Sequence, residues 1–430
     1  MLDLNGTTVT PPEPLADPEI PNLPCKVDDF GAYGIRTENE LIDFWEACRP
    51  WLAKRGINLY ELRCVDNYGP HRVQKKYWTY PATPISAALP FATLMDERPT
   101  NVQIATAVRP LFHAQDSMQR NVMLKLVENG SSEHLAYRRI MQIPMSQFTN
   151  SAEFPGVLPP LAILETPHHY VFIVMPMWGS PICIEDLTTL GEVLGFIECM
   201  LRGLSHLHDL RIAHRDICEY NIVVSCQSPG VMGDSYREAL RKHRRSHEVW
   251  YALMDYDQSL LLPQDASVTT CRRPASETAA GAWLYKPGDV NLGEPYYNPF
   301  AHDVGMIGMM FRYYFNGAVV AVPGLAALFD GLTDHRVPHR LTAEEALSFF
   351  YTMKSDVPHD MLKLPIALEQ SVEAMRTSET YWSKLSQEDQ LSWGRFRTPS
   401  RPFWERVLDC ITDIPIMWRF VAFVRRILGM

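Results

Sequence analysis

The stretch His214–Val224 reads HRDICEYNIVV and sets a carboxylate, Asp216, five positions before an amide, Asn221. A second carboxylate, Asp255, closes a short apolar run in YALMDYDQS, and a cation, Lys125, ends VMLK. These residue types suit phosphoryl transfer from a nucleotide, which needs the phosphates clamped, metal charge held and the acceptor hydroxyl aimed. Lys125 would meet the α and β phosphates. Glu133, in SSEHLAY, would orient it, with Tyr137 one helical turn further on. Asp216 would accept the hydrogen of the acceptor hydroxyl. The side-chain oxygen of Asn221 and the carboxylate of Asp255 would ligate Mg2+, a hard cation that takes oxygen donors. Each residue alone has a plainer reading: Lys125 as an edge lysine, Glu133 as a first-turn glutamate favoured by the helix dipole, Asp255 as a strand-ending turn. The chemistry rests on the combination.

The elements that must position these groups follow from periodicity. Apolar residues at helical spacing in 39–62 (Leu41, Ile42, Phe44, Trp45, Trp51, Leu52) predict a helix broken or kinked at Pro50. Residues 1–35 read as a Pro-rich, acidic, irregular arm, and 66–100 as loop. Runs at 102–108, 110–114 and 121–127 predict strands, and 131–141 a short helix opened by a serine cap. Two strands around the turn Pro167–His169 follow in 160–179, then a long amphipathic helix carrying Leu190, Val193, Leu194, Ile197, Leu201 and Leu204 on one face. Strands therefore cluster in the first half and helices in the second, joined at MPMWG (175–179). This layout suits a small β-rich lobe hinged to a larger helical one.

Composition narrows the class. The chain has 430 residues, too many for one ordinary core, with 46% hydrophobic and 21% charged residues. A net charge of −10 argues against a broad nucleic-acid footprint. No run of eighteen apolar residues would span a membrane, and the N-terminus lacks the pattern of a signal peptide. Nine scattered cysteines, without a CxxC pair, read as reduced thiols of a cytoplasmic or nuclear protein.

Two later features complete a resemblance. DVGMIG (303–308) places an Asp and a Gly five apart, and HRLTAEEAL carries Arg340. With HRDICEYNIVV, YALMDYDQS and YNPFAHDV, they make residues 100–352 resemble a eukaryotic protein kinase domain, most of all the divergent protein-kinase-like proteins of mushroom-forming fungi. The resemblance implies an α+β, bilobal fold with an N-lobe at 100–176 and a C-lobe at 177–352. Residues 1–99 would form an N-terminal extension, guessed to pack on the small lobe, and 353–430 a C-terminal helical one. It implies ATP and Mg2+ as cofactors and transfer to Ser/Thr hydroxyls of a protein substrate. Asp216, Lys125 and Glu133 would be catalytic, and Asn221 and Asp255 would hold metal. Met123, Met175 as gatekeeper, the hinge Pro176–Met177–Trp178 and Val223 would line the nucleotide. His214, Arg215, Tyr137, Tyr256 and Asp303 would be structural or regulatory. Asp303 would tether the loop, and Glu294 would pair with Arg340.

The sequence also departs from that pattern. No GxGxxG precedes Lys125; RPLFHAQDSMQRN (109–121) stands in the expected place, without a glycine to bring backbone N–H groups to the phosphates. Cys218 replaces a lysine that would touch the γ-phosphate, Met123 replaces a small residue over adenine, and Asp257 replaces a glycine. An insertion at 226–250 holds a basic cluster, Arg241, Lys242, Arg244 and Arg245, readable as a docking site for an acidic partner or as a solvated helix. The segment 255–294 carries Ser267, Thr269, Thr270, Ser276 and Thr278, where a phosphate could pair with Arg215. The end, 411–430, mixes apolar bulk with Arg419, Arg425 and Arg426; it reads as a terminal helix packed on the large lobe, with peripheral membrane contact as the alternative. A partner-binding pseudokinase scaffold is the alternative function. A small-molecule kinase of aminoglycoside or choline type is disfavoured by Arg215, by the Asp303–Gly308 spacing and by the Glu294/Arg340 pair.

Overall fold

Alternation along the strand Asn121–Glu128 sorts the molecule. Val122, Leu124 and Leu126 are buried in one hydrophobic cluster, whereas Val127 belongs to another on the opposite face. Side chains of a strand alternate, so Met123 and Lys125 share the face of Val127. The lysine is thereby aimed at the helical part of the chain.

The computed structural model describes residues 19–23, 25–30, 38–66, 74–95, 110–180, 184–228, 233–279, 281, 284–412 and 415–428. In chain order the elements begin with α1 (Glu38–Lys54), β1 (Asn58–Leu59), β2 (Glu61–Asp66), β3 (Gln74–Thr79), β4 (Thr93–Leu94), β5 (Leu111–Gln115) and β6 (Asn121–Glu128). Next come α2 (Ser132–Ile140), α3 (Met145–Thr149), β7 (Ala162–Glu165), β8 (Tyr170–Pro176), α4 (Leu190–Asp209), β9 (Ile212–Ala213), β10 (Ile222–Val224), β11 (Cys226–Gln227), α5 (Gly233–Ser246), β12 (Tyr251–Leu253) and β13 (Leu260–Leu261). After these the chain is mainly helical: α6 (Pro299–Phe315), α7 (Gly324–Thr333), α8 (Ala343–Ser355), α9 (Val372–Arg376), α10 (Glu379–Trp382), α11 (Gln387–Trp393), α12 (Phe403–Thr412) and α13 (Pro415–Leu428). The class is mixed α+β. Five strands form an antiparallel sheet in the order β1-β5-β6-β8-β7. No described helix is long and apolar enough to cross a membrane.

One face of the sheet is covered by α1, whose Trp45 ring lies 5.1 Å from Phe112 and 5.3 Å from Phe172. The helix runs through Pro50 without breaking. Pro50 removes one hydrogen bond near the C-terminal end, and the burial of Trp45, Cys48, Trp51 and Leu52 against the sheet outweighs that loss. The described part of the N-terminal arm docks beside α1: Ile20, Leu23 and Val27 are buried, and the Tyr170 hydroxyl donates to the Pro21 carbonyl. The other face meets α2 and the helical region, whose centre is α4 packed on α6, α8 and β12.

Several expectations change. The stretch 66–100, read as loop, includes β3 and β4. β2 pairs antiparallel with β3, and β4 pairs parallel with β11 across the chain. Pro and Gly masked the strand pattern there. The strand expected at 102–108 lies outside the described residues. The boundary at residue 100 cuts the sheet, because its edge strand is Asn58–Leu59. The boundary at 352 also cuts a core: Tyr381 and Trp382 are buried, both donate to Asp330, and Thr189 bridges to Pro365. Strand pairing and burial over such distances leave no local signal.

Candidate active site

The β10–β12 hairpin positions the acidic groups. Ile222 stands opposite Leu253, and the Met254 N–H donates to the Asn221 carbonyl at 2.9 Å. Asn221 and Asp255 thus flank the same end of one hairpin. The Asn221 amide donates to the Asp216 carbonyl at 2.8 Å and to its carboxylate at 2.7 Å. That spends the Nδ2 hydrogens on Asp216 and leaves Oδ1 on the other side as an acceptor.

Asp303 braces the loop from below. It is fully buried on α6, which opens with an Asn298 cap and Pro299 in its first turn. Its carboxylate accepts from the backbone N–H groups of His214 and Arg215, both at 2.7 Å, and from His208 Nε2 at 3.2 Å. These donors favour the ionised form, and the carboxyl is held below its ordinary value although burial opposes this. Arg215 and Asp255 have positive φ, 64° and 69°. Such a backbone is uncommon for residues with a Cβ and persists only when surroundings dictate it. Gly281 explains part of the fit: it has φ of 81°, and a Cβ there would stand 2.3 Å from the Arg215 carbonyl oxygen.

Lys125 closes the site from the sheet. Its ammonium bonds Glu133 of α2 and lies 2.6 Å from Asp255. Glu133 reaches it because Ser131 caps α2 through the His134 N–H and starts the helix just after β6. Burial opposes the ammonium charge, yet the two carboxylates hold its pKa well above the ordinary value. One cation cannot neutralise two buried carboxylates equally. Asp255 is held low, burial being outweighed by Lys125, whereas burial pushes Glu133 up to about 7. A column of rings ties these parts together: Tyr137 meets Tyr256 at 5.1 Å, Tyr256 meets His214 at 5.5 Å, and a His214 ring nitrogen sits 3.0 Å from the Met254 carbonyl.

Met123 and Met175 are paired across β6 and β8; Met175 is buried and Met123 half-buried. Val223 is buried in β10. Pro176 is buried, the Met177 N–H donates to the Asn121 carbonyl at 3.1 Å, and the Trp178 indole turns inward, donating to Pro90 at 2.8 Å and stacking on Phe154. Cys218 supplies no charge, because burial and then Asp216 push its thiol up to about 12. Asp257 is raised by burial and by Asp255.

Two expectations are corrected, and two are qualified. Arg340 does not pair with Glu294; it bonds Asp289, the Asp334 carbonyl and the Ala301 carbonyl, while Glu294 bonds Arg425 of α13. The buried guanidinium takes the less exposed carboxylate. The segment 109–121 does not form the loop beside Lys125. Asp116–Arg120 is a tight turn at the Asn121 end, its Asp116 carboxylate accepting from the N–H groups of Met118 and Arg120, both at 2.9 Å. The Lys125 end of β5 is reached from β1 through the long connection 60–110. Arg215 already has a partner in the segment 255–294: Glu277 at 3.8 Å, itself held by Arg273 at 2.6 Å. In the basic insertion, Arg237 and Arg241 of α5 are bonded to Asp186 at 2.7 and 2.8 Å, so part of that cluster serves an internal contact.

Sequence reasoning missed Glu219, whose carboxylate accepts from the hydroxyls of Tyr285 and Tyr314 and anchors the loop to the helical region. It also missed His208. Its place in SHLHDL, six residues before His214, was the available signal. No protein-family model matches the chain, and no curated protein matches it in sequence.

Proposed function

We propose that this chain is a divergent, bilobal protein-kinase-like protein that binds ATP with Mg2+ and transfers the γ-phosphoryl group to a serine or threonine hydroxyl of a protein. The observation that carries this reading is the Lys125 ammonium bound to both Glu133 and Asp255, with Asn221 and Asp216 joined beside them.

The residues present fit Mg2+. Asn221 Oδ1 and the Asp255 carboxylate are hard oxygen donors. Among the described residues no three His, Cys, Asp or Glu side chains converge on a metal, and Mg2+ is commonly held by one or two protein oxygens plus phosphate and water. The ion would neutralise charge on the phosphates. Lys125 would move from Asp255 towards the α and β phosphates while Glu133 keeps it oriented. Asp216, fixed by the Asn221 amide, would accept the hydrogen of the acceptor hydroxyl. Met123, Met175 and Val223 would enclose adenine, and Pro176–Trp178 would meet it with backbone.

A scaffold reading is favoured by one specific observation: the neutral Cys218 thiol and the carboxylate of Asp257 leave the phosphate side poor in positive charge. Thermal unfolding with ATP, with and without Mg2+, tests the proposal. Wild type gains stability with Mg2+ and ATP together, and Asp255→Asn loses the Mg2+-dependent part. A gain indifferent to Mg2+ favours the scaffold, and no gain at about millimolar ATP removes the nucleotide site altogether.

A further inference from the structure

The last two helices carry large apolar residues outward. On α13, Phe420, Phe423 and Ile427 recur at i, i+3 and i+7, the spacing of one helical face, and are 59%, 62% and 68% exposed. On α12, Trp404, Val407 and Ile411 repeat that spacing and are exposed as well. The two helices pack on each other. A helix that only completes a fold turns such a stripe towards the core. Here the opposite face is the docked one. Arg425 of α13 bonds Glu294, and Val421 lies so close to Gly293 that a Cβ there would stand 2.5 Å from its Cγ1.

Charge sets this region apart from the rest of the chain. Residues 395–430 hold seven arginines against Glu405, Asp409 and Asp413, a net charge of +4 in a chain of net −10. α13 has three arginines and no acidic residue, and Arg419 and Arg426 directly precede Phe420 and Ile427. Large apolar side chains on one exposed face, with arginines interleaved and no acid, match the boundary between acyl chains and anionic headgroups. The 14 residues of α13 are about 21 Å long, short of the roughly 30 Å of a hydrocarbon core, so the helix would lie in the plane of that boundary.

We propose that the α12–α13 pair seats this chain on an anionic phospholipid surface. Phe420, Phe423 and Ile427 enter the acyl boundary, and the positive charge of residues 395–430 is drawn to the headgroups. The docked face of α13 keeps its contacts with Gly293 and Glu294, so attachment requires no unfolding of the pair. The proposal stands whatever the loop at Asp216 catalyses.

Co-sedimentation of the whole chain with lipid vesicles tests this. The expected result is binding to vesicles of phosphatidylcholine and phosphatidylserine in equal parts, weakened by added salt and much weaker on phosphatidylcholine alone. Phe423→Glu lowers the partition roughly tenfold or more and leaves thermal unfolding unchanged, because the side chain it replaces is exposed. Arg419→Gln combined with Arg426→Gln lowers it several-fold and carries the test if Phe423→Glu does not fold. No binding to the mixed vesicles, or equal partition of wild type and both variants, overturns the proposal. Equally tight binding to phosphatidylcholine alone overturns the choice of an anionic surface. A dimer in sedimentation without lipid, dissociated by Phe423→Glu, makes a second copy of the chain the occupant and overturns the proposal as well.

Discussion

The floor of the candidate site and its roof are built on different principles. The floor is a run of eight residues, His214–Asn221, plus Asp255 two residues beyond β12, held by Asp303. Its polar groups are bonded to each other over short stretches of chain. The roof is the described part of the connection between β1 and β5, residues 60–66 and 74–95, which leaves the sheet as the β2–β3 pair, returns at Gln115 and then reaches β11 through β4. It is fastened at separate points: Ala82 to Gln115, Trp178 to Pro90, Met95 to Gln227. The floor is braced by the buried Asp303 carboxylate and anchored at Glu219, and the roof is held by many modest ties. A single change should therefore disrupt the first and only loosen the second.

The largest expected effect is at Asp303. Asp303→Ala orphans two buried backbone donors and His208, at about 1–3 kcal/mol for each orphaned group, and should destabilise the protein by several kcal/mol in denaturant titrations. Gln115→Ala removes a roof tie made of two hydrogen bonds, 2.9 and 3.0 Å, to Ala82 and should cost only about 1–2 kcal/mol. Comparable losses in the two variants would break the contrast.

Next comes a pair that separates sequence from structure. Asp289→Ala strips the buried Arg340 guanidinium of its carboxylate and should cost about 3 kcal/mol or more. Glu294→Ala removes an exposed partner and should cost less than about 1 kcal/mol. Parallel unfolding curves decide which acid serves Arg340, and the reverse ranking would restore the pairing expected from sequence.

A further effect lies in pH dependence. Glu133 has a folded value of about 7 against 4.5 for the free group. A pKa raised by folding contributes stability that is full below 4.5 and is lost as pH rises through about 7. Glu133→Gln should flatten the decline of stability across that window, measured by denaturation at several pH values. An unchanged slope would mean that Glu133 stays ionised beside Lys125.

What could be read in advance follows the same division. Asp216 and Asn221 are five apart, so their closeness was encoded locally, whereas Asp255, two residues beyond β12, is brought to them by the pairing of β12 with β10. Lys125 and Glu133 are eight apart across a capped turn, again a local matter. The pairing of Asn58–Leu59 with Ala114–Gln115 spans more than fifty residues, and nothing in either stretch specifies the other. Arg340 illustrates a finer limit. Asp289 and Glu294 both stand within reach in sequence, and desolvation, a property of the folded surface, selects Asp289. The ring column Tyr137–Tyr256–His214 was anticipated only as three separate residues; their contact depends on α2, β12 and the loop converging.

The central claim is that the floor still transfers phosphate. The purified 430-residue chain, given Mg2+ and ATP labelled at the γ position with a mixed serine/threonine peptide library, should place label on peptide hydroxyls. The Asp216→Ala variant should bind nucleotide and leave the peptides unlabelled. Nucleotide binding by wild type with no more transfer than Asp216→Ala would contradict the account.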